Sequence, residues 1–137
     1  MIDKIMKLGA GTATVLTKKV HVTVDELLGL QFIPKVLIGA PGAGKFITPL
    51  KTVFKFNPGS NPYSATTISI GYTNGFSSSG VPVYSLPPYS NFGFSAKPAD
   101  QTFTDIENYD LCILSGSPVT GGNGTLDVYV TYMITDL

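Results

Sequence analysis

The 137-residue sequence contains no arginine and no tryptophan, one cysteine, one histidine and few charges of either sign. A neutral chain without arginine lacks both the positive potential that gathers phosphates and the guanidinium forks that read bases, so nucleic acid is not an expected partner. Phosphoryl transfer loses its arginine finger for the same reason. With Cys112 alone, no internal disulfide can form and a secreted disulfide framework is excluded. No run of about 18 apolar residues occurs, so no membrane span is expected. Met1 to Lys7 interleaves Asp3, Lys4 and Lys7 with Ile2, Ile5 and Met6, which is not the pattern of an export signal.

What the sequence does have is apolar surface. Hydrophobic residues make up 43% of it and charged residues 13%, nine basic against nine acidic, with a mean hydropathy of +0.23. An average soluble domain is about one-quarter charged, so the apolar excess needs neighbours as well as a core. Low hydrophobicity and high net charge are both missing, which excludes a disordered chain.

Residues 1–19 read as an N-terminal arm, and 20–137 as one domain. Val20, Val22 and Val24 alternate with His21, Thr23 and Asp25, which predicts a half-buried strand, with Asp25 capping a helical turn over Glu26 to Leu30. Pro34 to Gly39 reads as a strand, Pro41 to Gly44 as a turn, and Lys45 to Phe56 as a long strand. In that strand Phe46, Leu50, Phe54 and Phe56 are expected on one face, opposite Lys51 and Lys55. Asn57 to Ser64 is a loop by its prolines, glycine and asparagines, and Ala65 to Thr73 a strand. Asn74 to Asp100 is rich in Gly, Ser, Pro and Asn, with short strands expected around Val83 and Phe94. Tyr109 to Ser115 is apolar on both faces and belongs centrally in a sheet. Gly121 to Gly124 is expected to turn a tight hairpin into a last strand, with Leu126, Val128, Val130, Tyr132 and Ile134 inward and Thr125, Asp127 and Thr131 outward. Seven or eight such strands without a long amphipathic helix predict an all-β, antiparallel β-sandwich of jelly-roll type.

Four groups of residues invite a chemical reading. Gly39-Ala-Pro-Gly-Ala-Gly44-Lys45 matches a nucleotide-binding P-loop through its lysine. Phe46 stands where that loop needs Ser or Thr for Mg²⁺, and Pro49 lies where it needs a helix, so a turn between two strands is expected instead. His21 and Cys112 could form a nucleophilic pair by number alone, yet one lies on a polar strand face and the other in an apolar run. Asp105, Glu107, Asn108 and Asp110 are calcium-type oxygen ligands without the spacing or the bending glycine of an EF-hand, and read as a solvated acidic segment. No cofactor, metal ion or catalytic residue is expected. Tyr72, Phe76, Tyr84, Tyr89, Phe92 and Phe94 are the candidate interface with a partner or a second copy, because large aromatic surface comes at small entropic cost; packing within the domain is an equal alternative and contact with a glycan a lesser one.

Several segments together resemble small bacteriophage virion proteins. They are the strand leading into Ala40-Pro-Gly-Ala-Gly-Lys45, the long alternating strand, the loop ending Asn61-Pro-Tyr63, and Gly121-Gly-Asn-Gly-Thr-Leu126 with Val128-Tyr-Val-Thr-Tyr132. The likeness covers roughly residues 20–135. It implies a non-enzymatic β-sandwich subunit of capsid-decoration, head-fibre or tail-associated kind, found in the virion and assembled in the host cytoplasm. The partners it implies are further copies of the chain, with a trimer among the candidate symmetries, and other virion proteins such as the major capsid protein. Residues 1–19 would then lie across an adjacent subunit or attach to the shell. A tail-associated module that binds a cell-surface glycan or receptor is the alternative expectation.

Overall fold

A computed structural model describes residues 14–64, 67–73, 83–85, 93–96 and 107–137, with the backbone course alone for 83–85 and 93–96. The elements are β1 (Val15–Val22), α1 (Val24–Leu28), β2 (Lys35–Ile38), β3 (Lys45–Asn57), β4 (Thr67–Tyr72), β5 (Val83–Ser85), β6 (Gly93–Ala96), β7 (Leu111–Leu114) and β8 (Thr125–Asp136). They form two four-stranded sheets, ordered β1-β8-β3-β6 and β2-β7-β4-β5. Within them β1 pairs with β8, β2 with β7, β3 with β6 and β4 with β5, all antiparallel. The chain is therefore one long hairpin of nested pairs, wrapped so that successive pairs fall in opposite sheets. That is a jelly roll, as the sequence pattern predicts.

The core lies between the sheets. Val22, Ile47, Phe54, Phe56, Leu126, Val128 and Val130 enter it from the first sheet, and Leu37, Ile68, Ile70, Leu111 and Ile113 from the second. β7 sits between β2 and β4, and its Leu111, Cys112 and Ile113 are all buried, as its apolar run predicts. In β8, Leu126, Val128 and Val130 are fully buried, while Tyr132 and Ile134 pack on the core's edge.

Several local expectations are corrected. β1 begins at Val15, taking in the last five residues of the stretch read as an arm. Its first five residues are exposed on both faces, so they carry no alternation to read. The backbone ladder to β8, from Val15 opposite Met133 to Val22 opposite Leu126, holds them in the sheet. The helix starts at Val24 with Thr23, rather than Asp25, as its cap. Thr23 Oγ1 accepts from the Glu26 N–H at 3.3 Å while Glu26 Oε1 accepts from the Thr23 N–H at 3.1 Å, a reciprocal box that Asp25 cannot form.

In β3 the expected inward face changes sides. The pairing to β8 jumps from Pro49–Tyr132 to Lys51–Thr131, leaving Leu50 as an extra residue. Pro49 has no N–H to give the ladder, and an inserted residue inverts the alternation beyond it. Ile47 points inward before the bulge, and Thr52, Phe54 and Phe56 after it, so Phe46 and Leu50 are only half-buried.

Gly121 to Gly124 does not turn a hairpin, because β7 and β8 belong to different sheets. The segment crosses between layers and packs on the 57–64 loop. Ser64 N–H donates to Thr120 O at 2.9 Å, Asn61 N–H to Asn123 Oδ1 at 2.8 Å, and the buried Tyr63 hydroxyl to Gly124 O at 2.7 Å. A Cβ on Gly122 would stand 2.3 Å from the Tyr63 ring, so glycine is required there for close approach.

Candidate functional site

The largest apolar exposure among the described residues gathers where α1 turns into β2. Leu27 faces the core and Leu28 the solvent, and Gly29 ends the helix with its N–H on Asp25 O. Leu30 then drops back into the core. The amides of Phe32 and Ile33 both donate to Gly29 O at 2.9 Å, which holds their side chains outward. Phe32 is 80% exposed, Ile33 75%, Val36 42% and Leu28 38%. Lys35 Nζ is hydrogen-bonded to Glu26 Oε2 and clamps helix to strand. That bond, reinforced by Thr23, outweighs burial and holds the Glu26 carboxyl below the usual carboxylate range.

Beside Phe32 lies an open hollow of about 400 Å³, lined by Leu30, Gln31, Phe32, Pro34, Leu114 and Gly116, with Ser69 and Ser115 at its polar side. This is within the size range of ligand and side-chain pockets. No ionisable side chain lines it. A smaller hollow of about 230 Å³ lies on the other flank, bounded by Asp25, Glu26, Ile33 and Lys35.

Of the aromatics singled out from the sequence, Tyr72 packs on the core edge and its hydroxyl donates to Ile47 O at 2.7 Å. Burial pushes its phenol up to about 12. The backbones of Tyr84 and Phe94 run in β5 and β6, each the outer strand of its sheet. Phe76, Tyr89 and Phe92 lie outside the described residues.

The glycine loop and the acidic segment, separate in the sequence, meet in the fold. Ala40 N–H donates to Asp110 Oδ1 at 2.6 Å, Gly42 N–H to Asn108 Oδ1 at 2.8 Å and Gly44 N–H to Glu107 Oε2 at 2.8 Å. Gly42 and Gly44 have φ of +113° and +76°, and Asn108 +57°, so the loop turns its amides toward those side chains at residues that tolerate the left-handed region. The donors that a P-loop would offer to phosphate are already occupied by the protein's own oxygens, and β3 rather than a helix follows Lys45. The acidic segment is thus a clasp on the loop. Asp105 lies outside the described residues, and among those described no group of three or more His, Cys, Asp or Glu could hold a metal ion.

His21 and Cys112 do not meet. Cys112 is buried in the second sheet with Sγ donating to Gly71 O at 3.4 Å, and burial, with Asp110 nearby, pushes its thiol up to about 12. His21 lies in the first sheet, opposite Asp127. Asp127 sits on the outer face of the sheet, as the alternation of β8 predicts, but it is 7% exposed because His21 and Asn57 close over it.

No family model and no curated protein matches the chain. Solved virus structures do match. A chain of the Israeli acute paralysis virus full particle, heated to 63 degrees, aligns over 100% of this chain and 76% of its own length, at 9% identity and a TM-score of 0.39. A chain of deformed wing virus carrying the GFP gene aligns over 91% of this chain and 45% of its own, at 13% identity and a TM-score of 0.32. At these scores the likenesses carry no argument about function.

The residues that sequence reasoning missed are Leu28, Phe32, Ile33 and Val36. A signal for them was available: Gln31-Phe32-Ile33-Pro34 places two large apolar residues side by side in a short link, where polar turn residues are the rule.

Proposed function

We propose that the chain is a non-enzymatic structural subunit of a bacteriophage particle, of capsid-decoration or head-fibre type, that associates with itself and docks on other particle proteins. The observation that carries this reading is the exposed apolar face of Leu28, Phe32, Ile33 and Val36 on a chain with few charges. A surface of that kind on a small domain marks contact with another protein. The jelly-roll topology and the resemblance of its Gly-rich and Tyr-rich segments to small phage virion proteins agree with it. Assembly in the host cytoplasm suits the one unpaired cysteine.

The test is the composition of purified particles from cells that express the chain. The expected result is a stoichiometric band of this chain that survives a density gradient; its absence from particles, with free protein present in the lysate, overturns the proposal. A glycan array gives the contrasting measurement, because saturable binding to one glycan class would favour a receptor-binding module instead.

A further inference from the structure

We infer that two copies of the chain join through a two-fold interface in which Phe32 of each copy enters the hollow between Leu30, Pro34 and Leu114 of the other. The inference rests on the subunit reading only for the expectation of self-association; the geometry supplies the rest. Phe32 stands 80% exposed and also forms one wall of the hollow, so knob and socket share a single face. A two-fold axis is the symmetry that lets one face fill both sockets at once, whereas a ring or filament needs knob and socket on different faces.

The chemistry of the socket fits a phenyl ring. Leu30, Pro34 and Leu114 give it apolar walls, Gln31, Ser69 and Ser115 add uncharged polar ones, no ionisable group lines it, and its volume of about 400 Å³ has room for an aromatic side chain. The Glu26–Lys35 ion pair lines the smaller hollow beyond Pro34 and is closed within the chain, so neither of those charges lines the socket. The area is also of the right order. Leu28, Phe32, Ile33 and Val36 together show roughly 400 Å² of surface, close to the apolar half of the ~800 Å² that each partner gives to a standard interface.

The experiment is sedimentation velocity on the full chain, comparing the wild type with Phe32→Asp, which removes the knob, and Gly116→Leu, which fills the socket. Both sites can accept the change: Phe32 is exposed, and a Cβ on Gly116 meets nothing within 4 Å. Circular dichroism melts confirm that each variant is folded. The wild type is expected to be a dimer at tens of micromolar, and each variant to weaken dimerisation by at least about 30-fold, the effect of losing a central hot spot. Phe32 is also a wall of the socket, so Phe32→Asp removes knob and wall together, whereas Gly116→Leu fills the socket and leaves the knob in place. A monomeric wild type at about 200 micromolar (a Kd weaker than roughly −5 kcal/mol of binding), a trimer or larger ring, or a dimer that survives Phe32→Asp or Gly116→Leu would each overturn the inference. A monomeric wild type would also remove self-association from the subunit reading, but its place in a particle is judged separately, by whether the chain is present in purified particles.

Discussion

His21 Nδ1 lies 2.7 Å from Asp127 Oδ1 across the β1–β8 pair, and Asn57 Nδ2 reaches the other oxygen of the same carboxylate at 3.1 Å from β3. Three strands of one sheet are thus tied through a single carboxylate on its outer face, with Lys19 Nζ a further 4.0 Å contact that is too exposed to add much. Burial alone would raise the Asp127 pKa. The hydrogen bonds from His21 and Asn57, with the charges of Lys19 and His21, win and hold it below its usual 3.8.

A carboxyl whose pKa is lower in the folded chain stabilises the fold above its unfolded value and loses that contribution as pH falls through the folded one. Glu26, also held low, acts in the same direction. The melting temperature is therefore expected to fall as pH drops below about 4, the ordinary carboxylate range. Asp127→Asn should already cost about 1–2 kcal/mol at pH 7 and should then lose less on acidification, with Glu26 supplying the residual slope. Thermal melts from pH 7 to pH 3 measure both quantities; an acid limb equally steep in the variant would show that Asp127 does not contribute to it.

Gly122→Ala is expected to destabilise by about 2–3 kcal/mol, because the new methyl would meet the fully packed ring of Tyr63 and neither loop can retreat without breaking its hydrogen bonds. Gly39→Ala supplies the contrast. Its Cβ would meet nothing within 4 Å, and the change should stay within about 0.5 kcal/mol of wild type. Urea denaturation of the two variants side by side checks the difference.

Thr23→Ala should cost about 1 kcal/mol by removing one arm of the capping box on α1, and Thr23→Ser should restore most of it. Chemical denaturation again gives the number, and equal stability of the Ala and Ser variants would count against the cap.

Cys112 should resist thiol reagents at pH 8 in the folded protein and react fully once the chain is unfolded. It is completely buried, and its pKa of about 12 leaves almost no thiolate at that pH. The labelling rate with and without denaturant is the measurement, and rapid labelling under native conditions would mean that β7 opens readily.

The parts of the fold that could be read in advance are those in which one residue type meets one demand. Alternation along β8 gave its inward face, and the apolar run of β7 gave its central place, because burial acts on each residue separately. What could not be read depends on distant partners. Leu50 becomes an extra residue only because β8 pairs on either side of it, and Gly121 to Gly124 resembles a hairpin until β7 and β8 are seen in different sheets. Asp127 looks like an ordinary outward acid, and only His21 and Asn57, from two other strands, bury it. The glycine loop reads as a turn and the acidic segment as solvated, because the contacts by which they hold one another join residues more than 60 positions apart.

The nested pairing also sets the order in which this chain can fold. β8 follows the other seven strands, yet it lies between β1 and β3, and the His21–Asp127 bond spans 106 positions. Until β8 arrives, β1 has no neighbour within its sheet, and the ladder side of β3 that faces β8 stays open. Closing such distant pairs costs loop entropy before any contact repays it, which places folding on the scale of milliseconds to seconds rather than microseconds. During synthesis the ribosome therefore delivers a long chain with unmatched strand edges, and its yield in a cell is governed by how well those edges are shielded until the eighth strand is inserted.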